Sequence, residues 1–136
     1  MYLEKYSFVA NVVSELVVAV DDDFRVRESI ESLVESAGYT SALFSSAEEF
    51  LQSGKLAVAA CVITDVRMPG MDGIELQRRL RLERPNLPIV FISAHNTAVL
   101  RQKALSGGAV NFLYKPFDAA DLLDVIQAAL TKAREK

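Results

Sequence analysis

Acidic side chains stand at the ends of two apolar runs in this chain. Asp21 and Asp22 follow residues 16–20, and Asp65 follows a run that covers residues 57–63. Such unbroken runs are typical of strands buried on both faces, so each carboxylate would lie where a strand meets a loop. Carboxylates that meet at one sheet edge repel one another strongly unless a cation lies between them. The pattern therefore implies a divalent cation with oxygen ligands, and Mg²⁺ suits one or two carboxylates with waters and a phosphate.

Two further polar residues end later apolar runs. Ser93 closes the run 89–92, and Lys115 stands before a proline after the last run. A phosphoryl group that approaches carboxylates needs its charge neutralised, which a metal and one ammonium group would do. Asp22 and Asp65 would hold the cation. Lys115 and the Ser93 hydroxyl would then meet phosphoryl oxygens, and because no general base accompanies them, the site is suited to accept one phosphoryl group and hold it.

Each of these residue types also has an ordinary structural explanation. An aspartate after a strand is most often a turn or a helix cap, and we prefer that interpretation for Asp23, Asp72 and Asp118. A lysine before a proline is usually solvated, and a serine such as Ser93 often caps or turns. The coincidence of several polar strand ends favours a site over these separate explanations.

Apolar runs alternate with helical patterns along the chain, and this alternation predicts the fold. Strands are predicted at residues 16–20, 39–44, 57–63, 89–92 and 109–114, and the third and fourth helices at 73–83 and 97–106. Right-handed crossovers between parallel strands place helices on both sheet faces. We therefore predict an α/β fold, a doubly wound five-stranded parallel sheet of order 2-1-3-4-5 in a flavodoxin-like three-layer sandwich. Its ligand crevice would lie beyond the carboxyl ends of the strands.

Composition limits the class of protein. The chain has 136 residues, 51% of them hydrophobic, and a formal net charge of −3. One domain is expected, and without a basic field we expect no direct nucleic-acid binding by this segment. The single cysteine, Cys61, lies inside an apolar run and is predicted to be a buried thiol. No run reaches the roughly 18 apolar residues of a membrane span, and the start lacks a signal-peptide pattern, so we expect a cytoplasmic protein without membrane contact.

Several motifs in order resemble the receiver domain of bacterial two-component response regulators. They are the acidic pair at residues 21–22, the segment Asp-Val-Arg-Met-Pro-Gly-Met-Asp-Gly at 65–73, the strand end Ile-Ser-Ala at 92–94 and Lys-Pro-Phe at 115–117. The resemblance extends over residues 16–133. It leaves residues 1–15 as an extension of unknown role and residues 134–136 as a charged tail or the start of a linker.

The resemblance implies a phosphotransfer role with Mg²⁺ or Mn²⁺ as cofactor. Asp65 would be the phospho-acceptor, which takes its group from a phosphohistidine of a sensor histidine kinase. Asp22 and Asp65 would bind the metal directly and Asp21 would bind it through water. The backbone carbonyl of Arg67 would complete the protein ligands.

The resemblance also implies a switch and a way of tuning it. Ser93 would take the switch hydroxyl position, Phe112 the switch aromatic position, and Lys115 would bind the phosphoryl group. Arg67 and His95 occupy positions that modulate phosphoryl lifetime, although His95 is equally well explained as a surface loop residue. The family has a cis peptide bond before the proline that follows Lys115.

The helix predicted at residues 97–106 has the weakest apolar face, so its packing should be the easiest to rearrange. We hypothesise that phosphorylation draws Ser93 toward Asp65, leaves space behind it for the Phe112 ring and reshapes residues 97–114 for a partner. The family suggests homodimer formation on phosphorylation through the face of the fourth helix and fifth strand, and a partner-binding face that also includes the fifth helix.

Two kinds of output are compatible with these residues. The segment at residues 65–71 and His95 resemble those of receivers that precede a helix-turn-helix DNA-binding domain, which favours control of transcription. The alternative is a stand-alone phosphoryl shuttle or protein-binding regulator, and nothing in the sequence separates the two. In either case we expect no enzymatic activity beyond metal-dependent phosphorylation and dephosphorylation of the chain itself.

Two other classes fit the sequence less well. A phosphatase that forms its own aspartyl-phosphate carries an Asp-x-Asp motif, whereas Arg67 stands two residues after Asp65. A flavin or nucleotide carrier of this fold needs a loop rich in glycine, serine or threonine to cradle phosphate. This chain has three aspartates after its first apolar run, and they would repel phosphate.

Overall fold

A computed structural model describes residues 14–95 and 97–134 of the chain. Within them, one parallel sheet has the strand order β2-β1-β3-β4-β5. Its strands are β1 (Leu16–Val20), β2 (Thr40–Phe44), β3 (Ala59–Asp65), β4 (Ile89–Ser93) and β5 (Asn111–Tyr114). The predicted fold class and strand order are confirmed. Residues 1–13 of the predicted extension and residues 135–136 of the predicted tail lie outside the described residues.

Helices follow the strands in the described part of the chain. They are α1 (Phe24–Ser36), α2 (Ala47–Gln52), α3 (Gly73–Glu83), α4 (Ala98–Ser106) and α5 (Ala119–Arg134). The third helix has the predicted bounds, and the fourth begins one residue later than predicted. Side chains at the three predicted cap positions, Asp23, Asp72 and Asp118, accept a hydrogen bond from a backbone N–H of the first turn, and Ser46 does the same for α2.

Several predicted boundaries differ from those of the structure. The third strand begins at Ala59, because the preceding residues form a 3₁₀ helix at Lys55–Val58. Val58 is 63% exposed there, and an apolar run alone does not distinguish such a turn from a strand. The fifth strand begins at Asn111 rather than at residue 109. Arg134, predicted as the first tail residue, ends α5 and forms an ion pair with Glu15 of the predicted extension.

The sheet buries both of its faces. On one face the strands pack against Leu76 and Leu80 of α3, and on the other against apolar residues of α1 and α5 such as Ile30 and Ile126. Cys61 packs on the face covered by α1 and α5 and has no exposed surface. Burial raises the pKa of its thiol to about 12. The prediction of a buried thiol is confirmed, as is the three-layer arrangement.

The helix α4 buries little apolar surface, and polar bonds from α3 contribute to its attachment. Ala104 is the buried residue of this helix. The buried Gln77 of α3 donates from Nε2 to the Ala104 carbonyl at 2.8 Å. Nearby, Arg81 of α3 donates from Nη2 to the Gly108 carbonyl at 2.7 Å. The prediction of a weak apolar attachment for this helix is confirmed. No helix among the described residues is long and apolar enough to cross a bilayer.

Candidate functional site

The carboxyl ends of β1 and β3 bring three carboxylates together. These strands are neighbours, with Val20 paired to Thr64, so the residues that follow emerge side by side. Asp21, Asp22 and Asp65 each offer one oxygen, and these oxygens all lie within 4.8 Å of one another. Asp21 and Asp65 are buried, whereas Asp22 is exposed. The structure therefore assembles the acidic residues singled out by their positions at strand ends.

The ammonium group of Lys115 stands between two of these carboxylates. Its Nζ lies 2.8 Å from Asp21 Oδ2 and 3.0 Å from Asp65 Oδ2. Burial lowers the pKa of Lys115, but its hydrogen bonds and Coulomb attraction to the two aspartates outweigh that effect and raise the pKa above its ordinary value. Lys115 is thus a fixed positive charge at neutral pH. The peptide bond between Lys115 and Pro116 is cis, as the resemblance implied.

Asp21 is an ionisable side chain with no exposed surface. Its Oδ1 accepts a hydrogen bond from the Asp23 N–H at 2.8 Å. Its Oδ2 has the ammonium of Lys115 at 2.8 Å, but the angles make this contact an ion pair and leave Oδ2 without a well-directed hydrogen bond. Burial raises the pKa of Asp21 above its ordinary value, although Lys115 and the Asp23 N–H act in the opposite direction. Asp21 is therefore a buried acceptor with unused capacity for a cation or a water.

Asp65 is the last residue of β3, and both of its oxygens are engaged. Oδ1 accepts from the Val66 N–H at 2.7 Å, and Oδ2 accepts from Lys115 Nζ at 3.0 Å. The Thr64 hydroxyl donates to the Asp65 backbone carbonyl at 2.9 Å. The residue is 6% exposed. Its two hydrogen bonds therefore hold the carboxylate in place, and a small part of it remains open to the cleft.

Gly73 supports Asp65 from behind, a role that the sequence did not reveal. Its N–H donates to the Val66 carbonyl at 2.8 Å. A Cβ at Gly73 would lie 2.1 Å from the Asp65 carbonyl oxygen and 3.0 Å from the Phe91 ring. Glycine therefore lets the start of α3 approach the backbone of the acceptor residue. From the sequence, Gly73 was predicted only to begin a helix and to end the motif at residues 65–73.

Arg27 is a second residue that sequence reasoning missed. Its Nη1 donates to the backbone carbonyl of Asp21 at 2.7 Å, and its guanidinium lies 5.8 Å from the centroid of the Phe24 ring. This bond ties α1 to the acidic loop. The only available signal was its position, one turn into the helix after the three aspartates.

The two predicted switch residues, Ser93 and Phe112, are both buried. Ser93 is buried, and its Oγ accepts from the His95 N–H at 3.0 Å. The Phe112 ring is 2% exposed and stacks on Phe91 with 6.1 Å between centroids. The hypothesis that this ring moves into a space behind Ser93 on phosphorylation stays a prediction. His95 is exposed.

The donor set fits a hard divalent cation. Carboxylate oxygens are the ligands that Mg²⁺ and Ca²⁺ prefer, and three of them lie within 4.8 Å of one another here. Within Asp21, the buried Oδ2 has an ion pair with Lys115 but no well-directed hydrogen bond. Asp21, Asp22 and Asp65 are therefore the residues able to hold a metal. Arg67 is exposed in the loop that follows Asp65.

Fold and site together define a class of protein. The chain is a flavodoxin-like α/β domain whose acidic site, closed by a lysine, lies at the carboxyl edge of a parallel sheet, where such folds bind their ligands. The family model for the response regulator receiver domain matches residues 17–127. The chain belongs to this family.

Individual relatives give the same assignment. The response regulator protein TodT of Pseudomonas putida is 41% identical over 123 residues, which are 90% of this chain and 54% of that protein. The transcriptional regulatory protein FixJ of Bradyrhizobium diazoefficiens is 38% identical over 117 residues, 86% of this chain and 57% of that protein. The solved structure of the response regulator StyR superposes with a TM-score of 0.82 at 41% identity, over 90% of this chain and 62% of that one. The chain thus spans about half the length of the curated relatives it matches.

The raised pKa of Asp21 predicts a gain in stability when its charge is removed. A carboxyl group with a raised folded-state pKa favours folding below its ordinary pKa, and this contribution is lost as the pH rises through the folded value. At pH 7 in metal-free protein, Asp21→Asn should therefore raise the melting temperature by a few degrees, roughly 1 kcal/mol for a domain of this size. Melts followed by circular dichroism should show the gain at pH 7 and its loss at about pH 4. Asp22→Asn, at an exposed position, is the control, and a lower melting temperature for Asp21→Asn at pH 7 would contradict the prediction.

The close approach at Gly73 predicts that even one methyl group disturbs the site. Gly73→Ala should lower the free energy of unfolding by about 1–3 kcal/mol, because the Cβ overlaps the Asp65 carbonyl. Metal affinity, measured by titration calorimetry, should fall as well. Gly38→Ala is the control, since a Cβ at Gly38 meets nothing within 4 Å and its φ of +94° makes the substitution strained. It should lower stability alone, and equal metal affinities in the two variants would refute this role for Gly73.

Proposed function

We propose that this chain is a phosphorylation-dependent switch whose acceptor is Asp65. The observation that supports it is the contact of Lys115 Nζ with Asp21 and Asp65 at 2.8 and 3.0 Å, beside a third carboxylate. A buried ammonium between carboxylates is a ready charge partner for a phosphoryl oxygen. The donor of that group would be a phosphohistidine on a sensor histidine kinase.

Asp65 Oδ2 would be the nucleophile. The Val66 N–H holds Oδ1 at 2.7 Å, whereas the partner of Oδ2 is the Lys115 side chain at 3.0 Å, so Oδ2 would form the new bond to phosphorus as that side chain releases it. The phosphorus–nitrogen bond of the donor breaks as this bond forms, and its electron pair stays on the imidazole. Lys115 then exchanges its contact with Oδ2 for one with a phosphoryl oxygen and keeps its ion pair with Asp21.

Mg²⁺, or Mn²⁺ in its place, is the cation that we propose for the acidic cluster. Asp22, Asp65 and the backbone carbonyl of Arg67 would bind it directly, and Asp21 would bind it through water. When bound, the cation would neutralise charge on the phosphoryl oxygens. Asp21 then has two tasks, because it also fixes Lys115 at 2.8 Å.

The switch would begin at the hydroxyl of Ser93. In the structure Ser93 Oγ accepts from the His95 N–H at 3.0 Å and donates to the His95 carbonyl at 3.4 Å, and donation to a phosphoryl oxygen would take the hydroxyl proton away from that carbonyl. The loop that leads into α4 would then lose a constraint. Arg101 of α4 donates to the Phe112 carbonyl at 3.3 Å, so a change in the helix reaches β5. Arg67 and His95, both exposed, would tune the lifetime of the phosphoryl group.

The output that we favour is transcription, through a partner or a second copy of the chain that binds the face of α4, β5 and α5. The names of relatives such as the transcriptional regulatory protein FixJ support this choice. A stand-alone phosphoryl shuttle or protein-binding regulator is the second candidate, because the residues of the acidic site and of the switch all lie within the receiver domain. In both cases the only reactions of the chain are its own phosphorylation and dephosphorylation. Since a kinase makes its phosphohistidine from ATP, we place the protein in the cytoplasm.

Incubation with acetyl phosphate and Mg²⁺ tests the acceptor chemistry. Intact mass should show one added phosphoryl group on the wild type and none on Asp65→Asn, with the adduct abolished by EDTA. Asp72→Asn, which changes a helix-capping carboxylate, is the matched control and should be phosphorylated. An adduct on Asp65→Asn, or no adduct on the wild type, would refute the proposed acceptor.

Amide hydrogen exchange tests the switch. Addition of the phosphoryl mimic beryllofluoride with Mg²⁺ should change protection by about 3-fold or more in residues 94–114, because α4 is held mainly by a few polar bonds. Ser93→Ala removes the hydroxyl and should abolish most of that change while the mimic still binds. Unchanged protection across residues 94–114 in the wild type would contradict the switch.

A further inference from the structure

We propose that Glu48 of α2 is a positioning residue for the metal site, since it fixes the loop that carries the Arg67 carbonyl. The inference rests on the proposed function, in which that carbonyl binds Mg²⁺. Glu48 lies 17 residues before Asp65 in the chain, on the helix after β2. Its carboxylate reaches the far end of the acceptor loop.

The acceptor loop, residues 66–73, is held at three points. At its base the Gly73 N–H donates to the Val66 carbonyl at 2.8 Å. In its middle the Met68 side chain is 8% exposed and belongs to the core under α3. At its tip the Met71 N–H donates to Glu48 Oε2 at 2.9 Å. Glu48 supplies the tip contact from outside the loop.

Gly70 makes this contact sterically possible. Its φ is +77°, and a Cβ there would lie 2.5 Å from Glu48 Oε2. Glycine therefore serves the turn and also lets the carboxylate approach the backbone. The Met71 N–H lowers the pKa of Glu48 below its ordinary value, which agrees with a charged acceptor at neutral pH.

Ser46 and Glu49 cap α2, and the Glu48 carboxylate, which also meets its own backbone N–H, has Met71 as its partner outside the helix. Glu49 Oε1 accepts from the Ser45 N–H at 2.9 Å, and the Glu49 N–H donates to Ser46 Oγ at 3.1 Å. These bonds close the start of α2 on itself. The contact of Glu48 with Met71 spans 23 residues of sequence and joins α2 to the acceptor loop.

A free loop tip would loosen the loop segment next to Asp65. Arg67 is exposed, so neither a buried side chain nor a strand fixes it, and it stands between Val66 at the base and the buried Met68. Binding sites require their groups to be held within about 0.5 Å of the productive position. Residues that orient metal ligands typically change metal affinity by about 10–100-fold when they are replaced. Glu48 should therefore act on metal affinity more than on folding.

Glu48→Ala is the test, with Glu49→Ala as the control that removes the same charge from the next position. Amide exchange of metal-free protein should show the Met71 N–H exchanging about 10-fold faster in Glu48→Ala and unchanged in Glu49→Ala. Titration calorimetry should show an Mg²⁺ Kd about 10-fold weaker in Glu48→Ala alone. Glu48→Gln retains an acceptor oxygen and should fall between the wild type and Glu48→Ala.

Phosphorylation by acetyl phosphate separates positioning from a general structural effect. In Glu48→Ala the Mg²⁺ concentration for half-maximal phosphorylation should rise about 10-fold, while the rate at saturating Mg²⁺ recovers to that of the wild type. Equal Mg²⁺ affinity in the wild type and Glu48→Ala would overturn this inference and leave the proposed function intact. Mg²⁺ binding by neither protein would overturn both.

Discussion

The buried ion pairs of Lys115 connect the fold to the site. One ammonium group meets a carboxylate from the end of β1 and another from the end of β3, at 2.8 and 3.0 Å, and it reaches them from the end of β5. Buried charges are costly to desolvate, and each becomes tolerable only when its counter-charge is held in place. The parallel sheet holds them, because it brings the ends of three strands to one edge. The site therefore depends on the register of the whole sheet.

The rest of the site consists of backbone and side-chain supports for that charge cluster. The Val66 N–H and Gly73 fix the acceptor residue, Arg27 fixes the acidic loop, and Glu48 fixes the acceptor loop at its tip. These supports come from α1, from α2 and from the loop that follows β3. The charged groups at the centre are few, and most of the surrounding elements act by keeping them still.

The sequence predicted what depends on local pattern. Unbroken apolar runs ended by Asp21, Asp65, Ser93 and Lys115 were enough to predict the strands, their order and the composition of the site. The roles of Gly73 and Glu48 were not predictable in this way, because each depends on a contact with backbone that is close only after folding. Hydrophobicity alone could not predict the start of the third strand, because Val58 is apolar and yet belongs to a 3₁₀ helix.

The attachment of α4 has a consequence for how such domains diversify. Gln77 and Arg81 bind carbonyl groups of the main chain at the end of α4, at Ala104 and Gly108, and main-chain atoms are the same whatever the side chains are. The outward residues of α4 contribute little to the core. Selection can therefore rewrite that surface for a new recipient of the signal while the helix stays anchored. The contacts that anchor α4 and the exposed side chains that would bind a partner can therefore change independently of each other.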